Sequence, residues 1–200
     1  MDILAKIHEL KVVPVVVLNS VDEVEDKIGG LVEGKLPVAE ITFRTACAPE
    51  AIKKAISLYP DALIGAGTVI NAAQCREAIA CGAKFIVSPG FADDVDAVCK
   101  EMNVPYLPGI ATPTEIMHAI SLGHKIIKFF PASNYGGLKM IKSLAAVFPD
   151  VKFLPTGGIN EETYKEYLAF DKIFAVGGSW MTKGTHEDIV RMCLNIHEGK

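Results

Sequence analysis

The sequence predicts an α/β protein folded as one (β/α)8 TIM barrel over residues 1–200, with an extra helix ahead of the first strand. Three observations predict it. A unit of roughly 20 to 28 residues recurs, built of an apolar run, a polar or glycine-rich link and an amphipathic helical pattern. The unit repeats eight times, which fills a barrel at its small end. The runs are apolar on both faces, as in a parallel sheet covered by helices. No Ser/Pro-rich linker or shift in composition divides the chain, so one domain is expected; an open doubly wound sheet is the alternative.

The elements follow in order. Residues 2–10 read as the extra helix, placed to plug the barrel bottom. Strands are expected at 12–18, 37–42, 62–66, 84–88, 104–108, 125–129, 151–155 and 172–176, because each is a short apolar run. Helical periodicity between them covers 22–31, 49–58, 72–80, 93–100, 113–121, 138–147, 161–169 and 186–197. Gly82 and Gly123 stand just past helix ends, where a C-cap glycine belongs, and a strand follows each at once. Ser20, Asn71, Thr112 and Asn160 stand just before helices, as N-caps do.

At 50% hydrophobic residues the chain can bury a large core. A net charge of -4 and a pI near 5.7 leave no basic surface for nucleic acid. No apolar run approaches the roughly 18 residues of a membrane helix, and Met-Asp-Ile-Leu-Ala-Lys-Ile-His at the start lacks a signal-peptide pattern. No membrane partner is expected. Cysteines 47, 75, 81, 99 and 193 are odd in number and form no Cys-x-x-Cys pair, which fits reduced thiols in the cytoplasm. The five histidines are scattered, with no His-x-His or His-Glu-x-x-His arrangement, so neither a metal nor another cofactor is expected.

The stretch Gly123-His-Lys-Ile-Ile-Lys-Phe-Phe-Pro131 carries the sharpest chemical signal. Strand alternation sends Lys128 and Phe130 to one side and Lys125 to the other, so Lys128 does not share a face with an ordinary surface lysine. Desolvating an ammonium is costly. Lys128 is either a strand-end lysine snorkelling to water or an amine kept dry so that it can attack a carbonyl. Glu40 shares the inward parity of Val38 and Thr42, which brings a carboxylate into the barrel mouth. It either pairs with Arg44 to close the rim or moves protons for Lys128.

Strand ends at one rim are rich in small residues. Thr156-Gly-Gly158 and Gly177-Gly-Ser179 follow the last two strands, where such barrels commonly hold phosphate. Glycines let backbone N–H groups approach an anion, and Ser179 adds a hydroxyl donor. Arg44 offers a bidentate fork to a carboxylate, with Thr68 as a second donor; the alternative is an ordinary surface arginine. Phe130 would wall the pocket around Lys128.

The whole chain resembles the KDPG/KHG aldolase family, small class I barrels acting on 2-keto-3-deoxy-6-phosphogluconate. The motifs that carry the resemblance are Val13-Pro-Val-Val16, Glu40-Ile-Thr-Phe-Arg44, Gly65-Ala-Gly-Thr-Val69, Val87-Ser-Pro-Gly90, Pro108-Gly-Ile110, Lys128-Phe-Phe-Pro131, Pro155-Thr-Gly-Gly-Ile159 and Gly177-Gly-Ser-Trp180. The resemblance implies Lys128 as the Schiff-base lysine and Glu40 as the general acid/base. It implies Arg44 and Thr68 at the pyruvate carboxylate, Pro89 and Phe130 in the pocket wall, and Gly157, Gly158, Gly178 and Ser179 at the phosphate. A homotrimer is implied as well. One position departs: many members carry an arginine at the end of the first strand, where this chain has Val17 and Leu18.

The expected reaction is cleavage of 2-dehydro-3-deoxy-6-phosphogluconate to pyruvate and glyceraldehyde 3-phosphate through an imine on Lys128. The galactonate epimer and 4-hydroxy-2-oxoglutarate are alternative substrates. A phosphate-binding lyase without an imine, or a non-catalytic trimeric scaffold, are the alternatives of other kinds.

Overall fold

In the computed structural model, which describes residues 2–199, two curled parallel sheets carry the strands. The larger runs β5 (Tyr106–Leu107), β4 (Ile86–Val87), β3 (Leu63–Gly67), β2 (Val38–Thr42), β1 (Val12–Val16), β9 (Val176–Gly178). The smaller runs β6 (Gly109–Ile110), β7 (Ile126–Phe129), β8 (Lys152–Pro155). Every residue of β1, β2 and β3 is buried. That explains why β1 and β3 show no polar alternation: water touches neither face, and the polar Glu40 and Thr42 of β2 are buried too. Helices α1 (Ile3–Leu10), α2 (Glu23–Glu33), α3 (Ala48–Leu58), α4 (Ala72–Ala80), α5 (Asp93–Glu101), α6 (Pro113–Ser121), α7 (Gly137–Val147), α8 (Tyr164–Leu168) and α9 (His186–Glu198) connect and cover the strands. None of them is long and apolar enough to cross a membrane.

Two sheets rather than one closed ladder is the main departure from the expected barrel, and Pro108 explains part of it. The fifth expected strand, 104–108, is found as β5, and past this proline the chain continues as β6 beyond the expected end. Proline has no N–H, so the ladder breaks there. β5 pairs with β4 and β6 with β7. The Pro108 carbonyl still accepts from the Lys128 N–H at 2.8 Å. The eighth expected strand, 172–176, pairs later, as β9. Isolated bridges Phe153–Ile173 and Thr156–Gly177 join its neighbourhood to β8.

Local hydrogen bonds decide where the helices begin. The Asn71 side chain accepts from the Gln74 N–H at 2.9 Å, and Thr112 forms a full capping box with Glu115, so α4 and α6 begin as expected. Ser20 does not cap α2. Its hydroxyl accepts from the Asp22 N–H at 3.2 Å in a turn, and α2 starts at Glu23 after Asp22. Asn160 likewise closes a turn, accepting from the N–H groups of Glu162 and Thr163 at 3.1 Å, and α8 begins only at Tyr164. Gly82 and Gly123 take φ of 99° and 92°, as helix-ending glycines do. The extra helix α1 buries Ile7 and Leu10 in the core. Its His8 ring stacks on Phe174 at 5.1 Å, just ahead of β9.

Helices α2 and α9 are tied by His186, whose Nε2 lies 2.9 Å from Glu33 Oε2 and whose Nδ1 lies 3.1 Å from the Asp26 carbonyl. The hydrogen bond to Glu33 lifts the His186 pKa above its usual 6.5. A raised folded-state value means the pair stabilises fully below the unfolded value and loses that stabilisation as pH rises through the folded one. His186→Gln is therefore expected to lower the melting temperature near about pH 5.5 and to leave it nearly unchanged near about pH 9. Calorimetry at the two pH values checks this.

Candidate active site

Glu40 stands mid-way along β2, and Lys128 is the third residue of β7, in the other sheet. Lys128 Nζ donates to Glu40 Oε1 at 3.2 Å, and the two side chains are 6% and 1% exposed. The contact joins the two sheets across their shared interior. It removes the structural alternative for each residue: Lys128 does not snorkel, and Glu40 does not pair with Arg44. The attraction in such a pair is largely offset by the cost of drying both charges, so stability alone is a weak reason to keep it. Lys128 Nζ also sits 5.2 Å from the centre of the Phe130 ring.

Gly67 makes this arrangement possible. A Cβ there would overlap the Glu40 carboxylate, so the side chain of residue 67 has to be a hydrogen. Nothing in the local sequence announces that role, because it depends on the register that sets Glu40 beside Gly65 and Thr42 beside Gly67.

The other expected residues stand at or just beyond the same strand ends. Arg44 is exposed past β2, and its Nε donates to Thr68 Oγ1 at 3.3 Å. Thr68 takes φ of 57°, a left-handed conformation that β-branched residues rarely adopt and that costs about 1–3 kcal/mol. The following residues hold it there: the Val69 N–H donates to the Val87 carbonyl, and the Val69 carbonyl accepts from Ser88 Oγ at 2.6 Å. Pro89 follows β4, half-buried, and packs its backbone against Gly109 at the start of β6.

Beyond β8, Gly157 and Gly158 are successive left-handed residues, with φ of 98° and 78°. Only glycine adopts such a pair freely. Thr156 bridges to Gly177, which brings this loop beside Gly178 and the exposed Ser179. Ser133, which the sequence does not single out, belongs here too. Its N–H donates to the Gly157 carbonyl at 3.0 Å, and a Cβ on Gly158 would overlap its hydroxyl. The loop is continuous with the lysine strand, since the Thr156 N–H donates to the Phe129 carbonyl at 3.0 Å. Direct side-chain contacts thus join Lys128 with Glu40 and Phe130, and Arg44 with Thr68; the glycine loops form a second group joined through backbone.

The family model for KDPG and KHG aldolase matches residues 3–193. The chain belongs to the KDPG and KHG aldolase family. A 2-dehydro-3-deoxy-phosphogluconate aldolase of Treponema pallidum is 43% identical over 175 residues, covering 88% of this chain and 83% of its own. The KHG/KDPG aldolase of Escherichia coli (strain K12) is 37% identical over 194 residues, covering 94% and 91%. Among solved structures, the KDPG aldolase of Legionella pneumophila superposes with a TM-score of 0.93 at 36% identity over 98% of both chains, and holds pyruvate as a covalent carbinolamine intermediate. The resemblance read from the motifs is thereby established at the level of the family.

Proposed function

We propose that the chain is a class I aldolase that cleaves 2-dehydro-3-deoxy-6-phosphogluconate to pyruvate and glyceraldehyde 3-phosphate, as its curated relatives' names suggest. One observation carries the reading: a buried lysine within hydrogen-bond reach of a buried carboxylate. The Lys128 amine attacks the C2 carbonyl, and the C2 oxygen becomes a hydroxyl. Glu40 supplies the proton with which that hydroxyl leaves as water, giving the imine. The C4 hydroxyl then loses its proton toward Glu40, the C3–C4 electron pair moves into the protonated imine, and the aldehyde departs. The enamine takes a proton at C3, and water releases pyruvate and the free amine. Arg44 and Thr68 hold the substrate carboxylate, Pro89 and Phe130 wall the pocket, and Thr156, Gly157, Gly158, Gly178 and Ser179 hold the phosphate.

4-Hydroxy-2-oxoglutarate is the second substrate reading, favoured by the double name of the Escherichia coli relative. The buried apolar Leu18, after Val17, offers no anion contact on its side of the mouth.

The two sheets complete one closed (β/α)8 barrel forming a single domain. The contact between Glu40 and Lys128, the bridges Phe153–Ile173 and Thr156–Gly177, and the Pro108 carbonyl bond support closure. Three chains associate, as the family resemblance implies, and exposed Ile70, Met117, Ile120, Met140 and Val147 supply apolar surface for burial. Light scattering is expected to read three times the 21.5 kDa chain mass. The enzyme works in the cytoplasm, consistent with five free cysteines, and serves the Entner–Doudoroff route.

Borohydride reduction in the presence of pyruvate tests the mechanism. Peptide mass spectrometry is expected to find the reduced pyruvate adduct on Lys128 and none in Lys128→Met. A folded protein that gives no adduct would overturn the reading.

A further inference from the structure

Among the described residues, Glu40 Oε2, Thr42 Oγ1, Thr156 Oγ1 and Trp180 Nε1 are buried without a hydrogen-bond partner. Burying a hydroxyl that bonds to nothing costs stability. A site selected only for packing would do better with valine, which has nearly the same shape.

Thr42 stands out because of where it is. It lies two residues beyond Glu40 on β2, so both side chains leave the strand on one face. Thr42 is wholly buried. Its register partner is Gly67, the same residue whose missing side chain admits the Glu40 carboxylate. The carboxylate therefore rises along the strand to the level of Thr42. Two unpartnered oxygens, Glu40 Oε2 and Thr42 Oγ1, thus lie on one face of β2, the face from which Glu40 Oε1 meets the Lys128 amine. Two residues farther on comes Arg44, tied to Thr68. On the reading above the 2-keto acid reaches from Arg44 to Lys128, and Thr42 lies between Arg44 and Glu40 along the chain.

We propose that Thr42 is a positioning residue for imine formation, its hydroxyl and Glu40 Oε2 together holding the C2 oxygen as that oxygen becomes the departing water. The proposal rests on the aldolase reading above. As the bond from Lys128 Nζ to C2 forms, the C2–oxygen π pair moves to oxygen, and the proton that the attacking nitrogen gives up passes to that oxygen to make the neutral carbinolamine hydroxyl. Thr42 donates a hydrogen bond to this oxygen, which itself donates to Glu40. A second proton then arrives through Glu40, the C2–oxygen bond breaks, water leaves, and the nitrogen lone pair closes the imine. Thr42 gains and loses no proton in the cycle. It sets the angle at which Glu40 meets the leaving oxygen.

Thr42→Val and Thr42→Ser test this, with kcat, KM, the rate of borohydride-trapped pyruvate adduct and the melting temperature measured for each. Thr42→Val is expected to lower kcat and the adduct rate about 100-fold. Its KM should stay within about twofold of the parent, because the carboxylate and phosphate contacts are untouched, and its melting temperature should match or exceed the parent's. Thr42→Ser, which keeps the hydroxyl, is expected to retain kcat within about threefold. Parent-like kcat and adduct rate in Thr42→Val would overturn the proposal. So would equal losses in both variants with a lowered melting temperature, which would assign Thr42 to packing. Failure of the parent protein itself to form the adduct would overturn the aldolase reading, and this proposal with it.

Discussion

Lys128→Met is expected to do two things at once: remove the cleavage activity and destabilise the fold. Without the amine no imine forms, and losing the covalent route should lower kcat by on the order of 10⁴-fold or more. The structural cost has a separate origin. Methionine fills much of the lysine's volume, but Glu40 is then left 1% exposed with no partner on either carboxylate oxygen. Breaking a buried pair by removing one member costs about 3–5 kcal/mol. In a chain of this length that corresponds to a melting temperature lower by about 6–20 °C. Adding Glu40→Leu should recover most of it, because the second substitution removes the stranded carboxylate. A coupled assay for pyruvate and thermal melts of both singles and the double measure the two effects. A Lys128→Met protein that melts with the parent would mean that the buried Glu40 side chain is tolerated without the amine.

Glu40→Gln is expected to have the next largest effect and a different pattern. Glutamine has nearly the shape of glutamate, so it fits the space that Gly67 leaves and keeps an oxygen facing the lysine. It cannot carry a proton between solvent and substrate oxygens. Loss of a positioned acid/base costs about 10²–10⁴-fold, and it should fall on kcat while KM changes little. Borohydride should still trap pyruvate on Lys128 in this variant, but slowly. A Glu40→Gln enzyme with the parental kcat would remove Glu40 from the proton path and leave it the role of counter-ion.

How far the sequence reveals all this can be argued residue by residue. Lys128 and Glu40 are legible because alternation is a local rule: a charged residue on the inward parity of an apolar strand needs a reason. Their contact is not legible, since they are 88 positions apart and belong to different sheets. Gly67 illustrates the same limit, because its neighbour Glu40 belongs to another strand. Helices α4 and α6 begin where Asn71 and Thr112 foretell because those caps act within three residues. Ser20 and Asn160 have the same chemistry yet close turns, a choice made by the chain around them. The eight alternating units foretell parallel strands, but not that Pro108 would split one of them.

The ion pair between Glu40 and Lys128 also ties activity to the completeness of the fold. One partner is supplied early in the chain and the other well past its middle, and only tertiary assembly brings them within 3.2 Å. On the proposed mechanism, a chain still emerging from the ribosome has no working site until β7 has been made and docked. A partly unfolded molecule in which the two sheets part loses this contact even where its helices persist. On that mechanism the reaction requires the two sheets to be docked, which makes it a reporter on assembly of the fold.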